Sequence, residues 1–366
     1  MRQPPERMRR LPDQYFMALL ARVSAAAALE GEPLVDLGRG NPEVGPPPHV
    51  VDALQRAAAR QDAHGYAPFS GLPELKEAIA ARYRDVYGVV VDPAHEVAVV
   101  PGSKTALMEF ALVAVERGET ILLPDPGYAD YPSAVALAGA RRASFTSFDD
   151  ADAAAVYLNY PSNPTAEAAP GPIFDEAVEW AARTGGYVLH DFAYGDLVFD
   201  GRRPASFLAA DGARDVGVEL FSMSKSYGMA GWRLGFVIGN AELVRRIEEL
   251  QDHLFAGVFR PVQEAGIAAL TGPQGSVEVR RATYETRRDT AFAALAGCGA
   301  QSEGTFFVWF RLPDGVSAES LLTDQRVVVA PGEGFGPRGA GYARLSLAVS
   351  DDALAAGLDR LRAALA

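Results

Sequence analysis

Hydrophobic positions first recur at helical spacing at Tyr15, Phe16, Leu19, Leu20 and Val23, predicting a helix over 13–30. The same spacing returns over 49–60, 72–87, 106–116, 173–184, 241–254, 261–270, 277–295 and 351–365. Short apolar runs bounded by Gly, Pro, Asn or Asp read as strands at 33–37, 97–100, 120–123, 156–159, 187–189, 216–220 and 234–238. Strand and helix alternate, which predicts an α/β unit with a mostly parallel central sheet. From about residue 298 the texture changes. There 305–311 and 344–349 alternate like exposed antiparallel strands, a helix over 317–322 joins them, and 331–341 is dense in glycine. We therefore expect a large unit over 46–270 and a smaller α+β unit made of 1–45 and 271–366. The arginine-rich face of 277–295 reads as solvated surface.

Composition narrows the setting. The 366 residues are 49% hydrophobic and 22% charged, enough for a sizeable core and not the balance of a disordered chain. A net charge of −13 repels polyanions, so no nucleic-acid partner is expected. Cys298 is the only cysteine, which rules out an internal disulfide and fits a reducing compartment. The basic N-terminus has no apolar core of a secretory signal, and no run approaches a membrane span. The expected setting is cytoplasmic, with no membrane partner. The five histidines are scattered, and no metal site is expected.

Candidate chemistry gathers where strands end. Gly102-Ser103-Lys104 joins a strand to a helix start, where free N–H groups and half a positive charge favour an anion. A Walker A loop is excluded, because the preceding glycines are not at the required spacing. Gly38-Arg39-Gly40 is not a dinucleotide fingerprint, since prolines follow it instead of a helix; a backbone passing close to a ligand at Gly40-Asn41-Pro42 suits it better. The stretch 221–235, FSMSKSYGMAGWRLG, places Lys225 in a loop between strands, after Ser222 and ahead of Arg233. A lysine desolvated there can lose its proton and form a Schiff base, and an arginine forks onto phosphate. An aldehyde and a phosphate on one molecule suggest pyridoxal 5′-phosphate. Asp191, at a strand end, is suited to a pyridine nitrogen; Asn163 and Tyr194 offer donors to a ring oxygen, and Tyr128 can stack. His190 beside it reads as a packed strand-end residue.

These segments, in this order, resemble the class I/II aminotransferases of the pyridoxal-phosphate-dependent transferase fold type I. The resemblance rests on Gly40-Asn-Pro42, Tyr66 with Gly71-Leu-Pro-Glu-Leu75, Gly102-Ser-Lys104, Pro126-Gly-Tyr128, Asn159 with Asn163-Pro-Thr165, Asp191 with Tyr194, Ser222-x-Ser-Lys225 with Arg233, and Tyr342-Ala-Arg344. The N-terminal segments look most like the LL-diaminopimelate and alanine aminotransferase branch. The resemblance implies transfer of an amino group between an L-amino acid and a 2-oxo acid through a Lys225 Schiff base. It implies that Ser103, Lys104, Ser222 and Arg233 hold the phosphate, and that Asp191 pairs with the ring nitrogen. Asn163 and Tyr194 would bind the ring oxygen, Tyr128 would stack, and Arg344 would grip the substrate α-carboxylate. Gly40 would let the N-terminal segment close, and Tyr66 would reach the neighbouring subunit's phosphate in a homodimer. Two departures stand out: Ala166 where the family usually has glycine, and a short acidic stretch with Asp149, Asp150 and Asp152 where relatives usually carry a helix.

Other readings stay open on the residues alone. The same machinery supports a carbon–sulfur β-lyase. A ligand-binding regulator on this fold, or a nucleotide-binding enzyme using residues 102–105, would need features that the acidic charge and the loop spacing do not favour.

Overall fold

A computed structural model describes residues 3–28, 31–148 and 152–365. Its strands are β1 (Val35–Asp36), β2 (Val97–Val100), β3 (Thr120–Leu123), β4 (Arg141–Ser144), β5 (Ala155–Asn159), β6 (Tyr187–Asp191), β7 (Gly217–Ser222), β8 (Gly235–Gly239), β9 (Phe307–Arg311), β10 (Val327–Val328), β11 (Ala330–Pro331) and β12 (Tyr342–Ser346). Seven of them form one sheet in the order β2-β8-β7-β6-β5-β3-β4. Only β8 runs antiparallel to its neighbours; the other pairings are parallel. The fold is α/β with a mostly parallel sheet, as the alternation predicts.

The central strands are buried on both faces, which is why they read as continuous apolar runs. Successive residues alternate between two cores. Val97, Val99, Val156, Leu158, Phe221 and Phe236 point into one, while Ala98, Val100, Tyr157, Leu189, Leu220 and Val237 point into the other. Phe221 and Phe236 stack across β7 and β8 at 5.0 Å. Within the second core Glu109 is buried between the helices Ser103–Ala114 and Ala241–Leu254, where it accepts a hydrogen bond from Gln251 Nε2 at 3.0 Å. Burial pushes its carboxyl up to about 7.

Register places the functional strand ends side by side. Asn159 on β5 faces Asp191 on β6, which faces Leu220 on β7. Ligands in such sheets sit beyond the carboxyl ends of the strands.

The C-terminal part carries an antiparallel sheet, β11-β12-β9, and β1 pairs with β10. Here β9 and β12 are buried almost throughout, not exposed as their alternation suggests. One core packs Phe307, Val308, Phe310, Ala343 and Leu345 under the helices Gly275–Ala294 and Asp351–Leu365. Trp309 instead meets Leu19 and Val23 of the helix Tyr15–Ala27, so this segment, remote in sequence, covers the other face.

The arginine stripe of Gly275–Ala294 is likewise not a solvated face. Arg280 and Arg288 are buried. Arg288 pairs with Asp200 at 2.7 Å, and Arg287 pairs with Glu43 and Asp351. Acidic partners and carbonyls brought in from distant segments turn the stripe into a clasp. Among the described residues no helix is long and apolar enough to cross a membrane.

Candidate active site

The ends of β5, β6 and β7 open onto a cavity of about 490 Å³. Gly40, Ser103, Lys104, Tyr128, Asn163, Asp191, Tyr194, Ser222, Lys225, Arg233 and Arg344 all line it. Tyr66 does not; it is 86% exposed, and its ring meets that of Phe69 edge-on at 6.2 Å.

Lys225 sits on a single helical turn, Met223–Ser226, instead of in an open loop. The turn forms because Ser222, the last residue of β7, caps it: its hydroxyl accepts from the Ser224 N–H at 3.2 Å. Lys225 Nζ donates to the Gly40 carbonyl at 3.1 Å and lies 5.8 Å from the Tyr194 ring centroid. Burial, followed by the nearby Arg344 and Arg233 cations, lowers its amine to about 8, against a smaller opposing pull from Asp191.

Asp191 lies on the cavity floor. Its Oδ2 accepts from Tyr131 Oη at 2.8 Å, and its Oδ1 accepts from the Ala193 N–H at 3.2 Å. Burial raises its carboxyl, while Tyr131, the Ala193 N–H, His190 and Lys225 oppose that rise. Its backbone is fixed too: Asn159 Nδ2 donates to the Asp191 carbonyl at 2.9 Å, and Asn159 Oδ1 accepts from the Asn163 N–H at 2.7 Å. One side chain thus ties β5, β6 and the loop after β5 together. His190 faces away. Its ring contacts Glu219 at 2.7 Å and the Tyr160 carbonyl at 2.9 Å, and Glu219 also accepts from Tyr83, Ser206 and the Phe207 N–H.

Arg344 is 1% exposed. It donates to Asn163 Oδ1 at 2.6 Å and to the Gly38 carbonyl at 3.2 Å, and no carboxylate among the described residues pairs with it. Its Nε, also buried, has no partner there. The guanidinium lies 3.8 Å from the Phe307 ring centroid and 4.8 Å from that of Phe335. Burial lowers it to about 10. A buried cation without a counter-ion is costly, so this corner suits an anion. Because Arg344 can only donate, the Asn163 oxygen faces it and the amide NH₂ stays free to donate elsewhere.

At the opposite side, Ser103 opens the helix Ser103–Ala114. Gly102 precedes it at φ +90, and a Cβ there would run into the Arg233 guanidinium, so only glycine lets the two approach. Arg233 itself is left-handed at φ 56, and its Nη1 donates to the Ala230 carbonyl at 2.8 Å. Helix start, Ser222 and Arg233 make an anion cradle of the kind a phosphate fills. Lys104 lines the cavity, but its charge is engaged by Asp130 at 2.9 Å.

Sequence reasoning passed over Tyr131 and the aromatic cage around Arg344. The run Pro126-Gly-Tyr-Ala-Asp-Tyr131 signals a turn and helix start, but nothing in it points at Asp191. Ala166 takes the left-handed conformation glycine favours, at φ 58. Its carbonyl accepts from the Glu303 and Gly304 N–H groups at 2.8 and 3.0 Å. In the acidic stretch, Asp149 and Asp150 fall outside the described residues; Asp152 does not.

Residues 32–361 match the model of the family described as aminotransferase class I and II. The chain belongs to that family. The aminotransferase is 41% identical to L-glutamine–4-(methylsulfanyl)-2-oxobutanoate aminotransferase of Bacillus subtilis, over 95% of this chain and 92% of the relative. It is 37% identical to an LL-diaminopimelate aminotransferase of Moorella thermoacetica, covering 99% and 98%. A substrate-bound structure of BacF from Bacillus subtilis superposes with a TM-score of 0.93 at 35% identity, over 100% and 98% of the chains. Fold and reaction class therefore follow the sequence resemblance: fold type I, and amino-group transfer.

Proposed function

We propose that this aminotransferase holds pyridoxal 5′-phosphate in the cavity and uses it to move an amino group from an L-amino acid to a 2-oxo acid. The observation that carries the proposal is Arg344: a buried guanidinium with no carboxylate partner among the described residues and an unpaired Nε there, lining the same cavity as a lysine whose amine is lowered to about 8. The donor set fits the cofactor at every corner. Ser103, Ser222 and Arg233 would hold its phosphate, with Lys104 a weaker contributor because Asp130 engages it. Asp191 would face the ring nitrogen, Asn163 and Tyr194 the ring oxygen, and Tyr128 the ring face. Bound there, the cofactor supplies an aldehyde for the lysine and a ring that accepts the electron pair left when a substrate carbon loses its proton. Arg344 orients the substrate by its α-carboxylate with two parallel hydrogen bonds. Lys225, whose lowered pKa of about 8 makes its neutral form accessible, takes that proton in that form and returns it as general base and acid.

The substrate side chain would meet the helix Tyr15–Ala27, which lends Phe16, Leu19, Leu20 and Val23 to the wall. The outer cation on that side, Arg39, is paired with Asp36 at 2.7 Å. Such a wall favours an apolar or thioether side chain over a dicarboxylate. The name of the Bacillus subtilis relative, with its methylsulfanyl oxo acid, supports the same class.

Mixing the purified protein with methionine and no oxo acid tests the proposal. Stoichiometric conversion of the cofactor absorbance to the pyridoxamine form is expected; continuous release of pyruvate and ammonia from amino acids that carry a β-leaving group would mark a β-lyase. A colourless protein that takes up no pyridoxal phosphate would end this account.

We further propose a cytoplasmic homodimer with shared sites, in which 46–270 forms the cofactor-binding unit and 1–45 with 271–366 the second. The exposed Tyr66, which does not line its own cavity, supports a role in the partner's. Equimolar Lys225→Ala and Tyr66→Ala chains, unfolded and refolded together, should then regain about a quarter of wild-type activity, because half the dimers carry one intact site.

A further inference from the structure

Residues 38–41 line the cavity and touch both functional cations, and 42–45 continue the segment away from it. Lys225 Nζ donates to the Gly40 carbonyl at 3.1 Å, and Arg344 Nη2 donates to that of Gly38 at 3.2 Å. The upstream end is fixed by backbone pairing: the Leu37 N–H donates to Val328 at 3.0 Å, and the Ser346 N–H donates to Leu37 at 2.7 Å. The downstream end is held differently, by side chains of the helix Gly275–Ala294. Glu43 Oε1 accepts from Arg287 Nη1 at 2.5 Å, and its Oε2 accepts from Tyr284 Oη at 3.0 Å. Arg280 donates to the Val44 and Gly45 carbonyls at 3.0 and 3.2 Å. Residues 280, 284 and 287 recur at helical spacing, so one face delivers all of these bonds.

The segment is also held near its start, where the Gly38 N–H donates to Asp36 Oδ1 at 3.0 Å and Gly40 packs on the Phe307 ring, but its downstream part is open. Val44 is 57% exposed, and Asn41, Glu43 and Gly45 are exposed as residues although the Glu43 carboxylate is not. The clasp is itself braced: Arg287 Nε donates to Asp351 at 2.8 Å and its Nη1 to the Leu347 carbonyl at 3.0 Å, and Tyr284 is 1% exposed. Charge-assisted hydrogen bonds with little exposure are the stronger kind. Packing places Gly38 and Gly40, and at the exposed downstream end the polar clasp on Glu43, Val44 and Gly45 takes over.

We propose that Glu43 is a positioning residue for substrate binding. Held by Tyr284 and Arg287, it keeps residues 38–42 where Gly40 and Gly38 meet Lys225 and Arg344. This rests on the reading of Lys225 and Arg344 as the cofactor amine and the carboxylate grip. A freed segment spends only part of its time in the competent position, and apparent substrate affinity falls by that fraction. Affinity should suffer, while saturated turnover should change little.

The test uses the cofactor-loaded Glu43→Ala enzyme, with Glu43→Gln and Tyr284→Phe beside it. Tryptic cleavage after the exposed Arg39, read by mass spectrometry on the cofactor-loaded enzyme, should quicken about tenfold in Glu43→Ala, and KM for the amino donor should rise by a similar factor. The cofactor absorbance band should be unchanged, and kcat should stay within about threefold. Glu43→Gln, which keeps one acceptor, should fall between. If Glu43→Ala does not fold, Tyr284→Phe, which keeps the packed ring, is read in its place. A wild-type rate of cleavage after Arg39, or quickened cleavage with an unchanged KM, overturns the proposal. A wild-type enzyme that shows no cofactor band would instead overturn the reading beneath it.

Discussion

Replacing Tyr131 with phenylalanine removes one hydroxyl and leaves the ring in place. The ring is 1% exposed and meets Tyr128 and Tyr157 edge-on at 5.5 and 5.4 Å, so packing should survive. What goes is the 2.8 Å hydrogen bond to Asp191 Oδ2. A hydrogen bond to a buried carboxylate is worth about 1.5–3 kcal/mol. Tyr131 is also the largest of the influences that hold the Asp191 carboxyl down against burial, so the variant's carboxyl moves further up. Its charged form is then less well stabilised, and it pairs less well with the cofactor's ring nitrogen. Titrating pyridoxal phosphate into the apoprotein, followed by absorbance, should give a Kd above wild type, with the roughly 10- to 100-fold worth of the whole bond as its upper bound. The deficit should shrink as pH rises, because the carboxyl regains its charge. A wild-type Kd with a superimposable kcat–pH profile would refute the role assigned to this hydroxyl.

Three further outcomes follow from the same geometry. The apoprotein should capture added pyridoxal phosphate faster as pH rises and level off above about 8, where the Lys225 amine is neutral; a pH-independent rate would contradict its lowered pKa. Glu109 is held at about 7 against an ordinary 4.5, so the stability it lends is whole below 4.5 and is lost as pH rises through 7. The stability gain of Glu109→Gln over wild type, followed by Tm and converted to free energy, should therefore grow between pH 5 and 8, towards about 3 kcal/mol at most, and a gain that does not vary with pH would be inconsistent with a raised carboxyl. Arg344→Lys keeps the charge but loses the fork, so KM for an amino acid should rise at least about tenfold. An amine lacking the α-carboxylate should be unaffected, and equal losses for both would remove the carboxylate grip from the account.

Much of the site was legible because the sheet announces itself. Apolar runs buried on both faces stop abruptly at Asn159, Asp191 and Ser222, and a polar residue at such an end is conspicuous. Lys225 was legible as an amine between strands, though the serine cap that makes its turn helical was not read as one. Less legible were features created by packing across long sequence separations. Arg344 belongs to a strand whose alternation suggests one wet face; the helix Tyr15–Ala27, far away in the chain, dries it. The arginines of Gly275–Ala294 look solvated until Glu43 and Asp200 arrive from elsewhere. Tyr131 is one of several tyrosines near sheet ends, and only its hydroxyl's distance to Asp191 separates it from a packing residue.

The placement of His190 and Asp191 on opposite faces of β6 carries a consequence for how this chain can change. Successive strand residues alternate sides, so deleting a single residue upstream in β6 would turn the imidazole toward the cofactor cavity and drive the carboxylate into the space beside Glu219. Two acids would then share one dry compartment, and the catalytic floor would carry no acid. Length changes in this strand should be tolerated only in pairs, or out in the loops, which makes odd and even the first thing to check when variants of this enzyme are built.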